Sequence, residues 1–174
     1  MTATGGRTRF EGSIGRSRTF ASVSFRQLIA HFKMQRIPHE GAWFAPAYRD
    51  AAWSSIYGLA TTEDFSALHR LKSDELWHYY GGQPLEMLLL YPDGRGETVV
   101  LGPDVFAGQR LQVVVPHGVW QGGLPVGGAA ETYTFFGATV TPAFQDSHYE
   151  PGLRKELQAR YPTFAAQIAV LARD

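Results

Sequence analysis

The sequence predicts an all-β domain, a sandwich or barrel of antiparallel strands with short helices at both ends. Two observations carry this. Between Trp53 and Thr141 the chain is a run of about eight short apolar-rich segments. They are separated by "GGQP", "PDGRG", "GPD", "PHG" and "GLPVGG", each with the Gly, Pro or Asp that tight turns need. Helical periodicity is confined to the chain before Trp43 and after Pro142, so no crossover helices exist to build a parallel sheet.

Bulk composition narrows the class. With 174 residues, 44% of them hydrophobic, the chain fits one domain with a full core. A formal net charge of zero and the lack of a basic patch argue against nucleic acid and anionic membrane as partners. Cysteine is absent, which excludes disulfides and thiol catalysis and suits a reducing cytoplasm. No apolar run approaches the ~20 residues a membrane span requires. Residues 1–22, rich in Gly, Ser, Thr and Arg, lack the apolar segment of a secretory signal and read as a flexible arm. Residues 23–174 form the single domain.

The elements follow in order. "SFRQLIAHFKM" places Phe25, Leu28, Ile29 and Phe32 at helical spacing, with Ser24 as N-cap. "PHEGAWF" breaks that helix, and Pro46 makes the extended stretch Trp43–Arg49 an edge. Strands are expected near Ser54–Leu59, Ser66–Leu71, Glu75–Tyr80, Glu86–Tyr91, Glu97–Leu101, Arg110–Val115, Val119–Gly123 and Glu131–Thr139. "PGLRKELQARYP" and "TFAAQIAVLAR" read as two terminal helices, with Thr163 capping the second.

Side chains alternate across a strand, so residues two apart share a face. Ala67, His69 and Leu71 point one way; Glu75, Trp77 and Tyr79 share a face opposite Leu76, His78 and Tyr80. Strands apolar on both faces need two covers, which predicts helices or a second subunit on the outside.

His69-x5-Glu75-x6-Gly82 resembles the first motif of the cupin superfamily, Gly-x5-His-x-His-x3–4-Glu-x6-Gly. "PHGVWQGG" is similar to the second, Pro-x-Gly-x2-His, with Pro116 and Gly118 in register. "EGAWF", "SSIYGL", "LHRLKSDELWHYYGGQPLEM" and "VVVPHGVWQGG" more closely resemble one small cupin family, the one numbered five. The resemblance implies an antiparallel jelly-roll barrel from about Trp43 to Thr141, and a homodimer in which the Trp43–Arg49 strands pair between subunits.

The chain departs from the metal-binding pattern at two places: the second motif-one histidine falls on Leu71, and the motif-two histidine on Gln121. His69, Glu75 and Gln121 remain as a reduced ligand set for Zn, Fe, Mn or Ni, whereas tight sites take three or four good donors. A hydrogen-bonded His69–Glu75 pair with a purely structural role is the plainer alternative.

Two functions follow. One is an isomerase or epimerase similar to the metal-free sugar-nucleotide epimerases of the superfamily, acting next to a carbonyl. His69 would be the base, Glu75 would hold its tautomer, and Tyr79 would donate a proton. The other is a non-catalytic dimer that binds a small molecule between aromatic faces. Trp77, Trp120 and Gln121 are the expected ligand contacts in either case. His78 should face away from this cluster, His117 and Asp74 should be loop residues, and no Gly-x-Ser-x-Gly elbow suggests a serine hydrolase.

Overall fold

A computed structural model describes residues 20–173. Most of the predicted arm thus lies outside the described residues. Its last three residues, Phe20–Ser22, form a 3-10 turn, and the Phe20 ring packs 5.5 Å from that of Phe135.

Helix α1 spans Phe25–Phe32. Ser24 Oγ accepts from Gln27 N and Gln27 Oε1 accepts from Ser24 N at 3.0 Å, a reciprocal box that satisfies two donors at the helix start. The strands are β1 (Gln35–Arg36), β2 (Trp43–Arg49), β3 (Ser54–Thr61), β4 (Ser66–Leu71), β5 (Asp74–Gly82) and β6 (Leu85–Leu90). They continue as β7 (Gly96–Leu101), β8 (Gln112–Val115), β9 (Trp120–Pro125), β10 (Tyr133–Thr141) and β11 (Tyr149–Pro151). Helices α2 (Arg154–Arg160) and α3 (Ala165–Leu171) close the chain. Thr163 does not cap α3. It lies inside a 3-10 turn, Pro162–Phe164, that leads into the helix.

The strands form two antiparallel sheets, ordered β1-β2-β3-β10-β5-β8 and β11-β4-β9-β6-β7. This is the expected all-β jelly-roll arrangement, packed as two open sheets rather than closed into a barrel. The core between the sheets takes Trp77, Val113, Phe136 and Ala138 from the first and Met87, Leu89, Val99 and Leu101 from the second. Phe136 stacks on Trp77 with ring centroids 4.6 Å apart. Gly58, paired with Phe136 across β3 and β10, has to be glycine because a Cβ there would lie 2.1 Å from the Phe136 ring.

Both outer faces are covered by the chain itself. Leu28, with Ile29 and Phe32, packs α1 onto Leu59, Tyr133 and Phe135 of the six-stranded sheet. Leu157, Tyr161, Ile168 and Leu171 cover Leu68, Leu88, Leu90 and Trp120 of the other. Helices of seven residues do not persist alone in water, so α2 and α3 are held by this burial, about 2 kcal/mol for each large apolar side chain. A second subunit is therefore not needed to cover the apolar strand faces, contrary to the sequence-based reason for a dimer.

Pro46 sits where its missing N–H does no harm. β1 pairs only with Trp43 and Phe44, so β2 is an effective edge from Ala45 onward. The register slips between Pro46 and Tyr48.

Candidate active site

A cavity of about 640 Å³ opens beside β2, β3, β4, β5 and β10. Its walls are largely apolar, with Phe44, Ile56, Leu71, Val140 and Phe144, and three of the titratable side chains that line it carry the argument: His69, Glu75 and Glu40. All three are buried, His69 to 3% exposure, Glu40 to 6% and Glu75 to 7%.

His69 sits on β4, where Pro151 of β11 and Gln121 of β9 are its register partners. Its Nδ1 lies 2.8 Å from the Ala67 carbonyl. A carbonyl only accepts, so Nδ1 carries the proton and Nε2 is left as an acceptor. The tautomer is thus fixed by backbone, not by Glu75 as the sequence suggested.

Glu75 opens the inward face of β5. Gln121 Nε2 donates to Glu75 Oε2 at 2.5 Å, and Trp77 Nε1 donates to Gln121 Oε1 at 2.8 Å. The positive φ of Gly118, 78°, turns the chain between β8 and β9 so that Gln121 enters from the opposite sheet. Burial pushes the Glu75 carboxyl up to about 7, and the Glu40 charge adds to this. The nearby His69 and the hydrogen bonds from Gln121 and Trp77 pull the other way. His69 and Glu75 share the cavity without bonding to each other, which corrects the simple pair.

Two residues that sequence reasoning missed complete the site. Glu40 lies in the "PHEGAW" segment, read there only as a helix breaker. Ser66 Oγ donates to its Oε1 at 2.6 Å, its Oε2 is 3.9 Å from His69 Nδ1, and its carbonyl accepts from Ala67 N. Tyr149 on β11 stacks over the His69 ring at 5.3 Å and 21°. Its hydroxyl is buried with no hydrogen-bond partner, and burial, with the Glu40 charge, raises the phenol above its ordinary value. No local signal in the sequence marks Glu40 or Tyr149.

The remaining expectations divide. Trp77 is fully buried behind Glu75 and supports Gln121 rather than lining the cavity. Trp120 is corrected: it neighbours the inward Gln121 and so points outward, packed with Leu157 and Tyr161 beneath the Arg70 guanidinium. Tyr79 is corrected as well. It shares the face of Glu75 but lies four residues further along β5, about 13 Å away at strand spacing. There its hydroxyl donates to the Gly82 carbonyl at 2.6 Å, beside a different cleft lined by Tyr80 and Tyr133. His78 does lie on the opposite face, with Gln112 Nε2 3.2 Å from its Nδ1. His117 and Asp74 form an exposed turn contact of 3.0 Å.

The donors do not fit a resident metal. Gln121 turns its oxygen to Trp77 and its amide to Glu75, and this polarity is fixed because indole only donates and a carboxylate accepts. It therefore offers no oxygen toward His69. Among the described residues no group of three or more His, Cys, Asp or Glu side chains is placed to hold a metal ion.

Residues 26–151 match the family model described as Cupin superfamily (DUF985). The chain belongs to this cupin family. It is similar to a hypothetical protein from Leishmania major, 28% identical, with a TM-score of 0.79 over 87% of this chain and 100% of that one. A Shewanella oneidensis protein is 30% identical, with a TM-score of 0.80 over 87% and 98% of the two chains. Bacillus subtilis oxalate decarboxylase, 12% identical with a TM-score of 0.54 over 86% of this chain and 38% of that one, shares the cupin fold alone. A search of curated proteins gives no match. Among the described residues of this cupin, no helix is long and apolar enough to cross a membrane.

Proposed function

We propose that this cupin binds a small polar metabolite in the cavity and moves a proton at a carbon next to a carbonyl, as an isomerase or epimerase does. His69 Nε2 takes the proton from carbon. Glu75, in its protonated form, donates to the carbonyl oxygen as the enediol develops. His69 then delivers its proton to the former carbonyl carbon while the Glu75 carboxylate takes the proton of the neighbouring hydroxyl, so that the carbonyl moves to the adjacent carbon. Both groups end each cycle as they began.

The observation that carries this reading is the burial of His69 and Glu75 in one cavity, unbonded to each other, with the Glu75 carboxyl pushed up to about 7. A group titrating near neutral pH is populated in both the donor and acceptor forms that a proton shuttle requires. The chemistry needs no metal, in keeping with the reduced donor set around His69.

The test is solvent exchange. Hydroxy-carbonyl compounds incubated with the protein in deuterium oxide should lose their α-proton NMR signals. His69→Ala should abolish this and His78→Ala should retain it. Ligand binding that depends on His69 without any exchange would instead make the protein a binding module, and equal exchange in wild type and His69→Ala would reduce His69 to a structural residue.

A further inference from the structure

The polar atoms at the cavity floor are almost all acceptors. Glu40 gives Oε1 to Ser66 and keeps Oε2 without a hydrogen bond. Glu75 gives Oε2 to Gln121 and keeps Oε1. His69, with its proton held at Nδ1 by the Ala67 carbonyl, keeps the Nε2 lone pair. Apart from the proton that Glu75 carries in its acid form, the uncommitted donor is the Tyr149 hydroxyl, buried without a partner against the His69 ring. Buried polar groups find partners in folded proteins, and an orphaned hydroxyl marks a place where one is still to come.

The charges of the lining point the same way. Glu40, Glu75 and Asp146 are acidic, against the single cation Arg49 and the two histidines His39 and His69. Arg49 directs its Nη2 to the Phe144 carbonyl at 2.7 Å. Arg173, which acts on Tyr149 from outside the lining, lies over the Phe65 ring. Only His69, and Arg173 from outside the lining, would offset an anion at the floor, and Glu40 would repel one.

Resting on the proton-transfer reading above, the geometry points to an uncharged polyhydroxy-carbonyl compound, a sugar-like molecule rather than an organic acid or phosphate ester, as the substrate class, with Tyr149 as its donor contact. One of its hydroxyls donates to Glu40 Oε2, its carbonyl oxygen accepts from the protonated Glu75 at Oε1, and its apolar face lies against Phe44, Ile56 and Phe144. Tyr149 donates to one of its oxygens. The cavity volume of about 640 Å³ lies within the range that encloses small ligands.

Matched pairs test this: dihydroxyacetone, ribose and fructose, each against its phosphate ester, titrated by ligand-observed NMR and thermal shift. The neutral member should bind at least about tenfold more tightly in each pair that binds, and Glu40→Gln should narrow the gap. Tyr149→Phe should weaken the neutral ligand by about three- to tenfold, the worth of one hydrogen bond, while leaving the melting temperature unchanged or higher because it removes an orphaned hydroxyl. A purely structural Tyr149 would leave affinity unchanged, and that result overturns its role. Esters that bind as well as the neutral sugars, and lose binding in His69→Ala, overturn the substrate class and leave the proton-transfer site standing. No binding by any probe overturns both.

Discussion

Gln121 and Glu75 face each other from opposite sheets, and the amide of one holds the buried carboxylate of the other while its oxygen accepts from Trp77. The amide is the one group that meets both demands. Gln121→Leu, close in size, leaves an indole N–H and a carboxylate buried without partners. At about 1–3 kcal/mol for each orphaned group, urea denaturation at neutral pH should show a loss of about 2–5 kcal/mol.

Glu75 should make stability fall as pH rises. Its carboxyl binds protons more tightly in the folded chain, about 7, than the ordinary 4.5. Between those values the folded state holds more protons than the unfolded one, so the contribution is full below about 4.5 and is lost as pH climbs through about 7. At about 1.4 kcal/mol per tenfold change in proton affinity, the gap comes to about 3 kcal/mol. Glu75→Gln should flatten the profile between pH 4.5 and 7 in denaturation measured across that window. A slope unchanged by the substitution would show that Glu75 titrates at its ordinary value.

Gly58→Ala should act on the site from a distance. The new Cβ would meet the Phe136 ring at 2.1 Å, and Phe136 stacks on Trp77, which anchors Gln121. Overpacking of this kind costs about 1–3 kcal/mol. The variant should lose that much stability and bind cavity ligands more weakly; full affinity would show that Trp77 does not transmit the shift.

The segment from Val105 to Val114 offers a surface on which a second copy could pair. Phe106 is fully exposed, Val105, Leu111 and Val114 are also exposed, and β8 is a free edge of the six-stranded sheet. Exposed apolar side chains beside an open edge strand favour pairing with a second copy. Light scattering at micromolar concentration should give a homodimer, and Phe106→Glu combined with Val114→Lys should give a monomer. A wild-type monomer under those conditions refutes the assembly.

What the sequence made legible was local. Ser66–Leu71 emerges with the bounds its alternation implies, and Ser24 caps α1 through the Gln27 box that its spacing allows. The inward placement of Glu75 and Gln121 was what the resemblance to the two cupin motifs implied. Parity also excluded Trp120 once Gln121 was inward, and the rise along β5 separated Tyr79 from Glu75; both limits were in the sequence and were outweighed by the appeal of aromatic residues. Glu40 and Tyr149 were of another kind. Glu40 is fixed by contacts to Ser66 and Ala67, and Tyr149 reaches His69 only because β11 pairs with β4. Register between segments some eighty residues apart leaves no local trace.

That β11 pairing has a bearing on how the cavity is assembled. Glu40, His69, Glu75, Gln121 and Tyr149 are drawn from five separate strands and loops, and Tyr149 meets His69 across a long loop of sequence. Closing such long loops carries an entropic cost that must be met before their contacts reward it. A chain that has not yet paired β11 with β4 has its histidine and both carboxylates, yet lacks the strand that brings Tyr149 over the ring. The cavity lining is therefore a collective product of pairings distant in sequence, and it reports completed folding more stringently than secondary structure does.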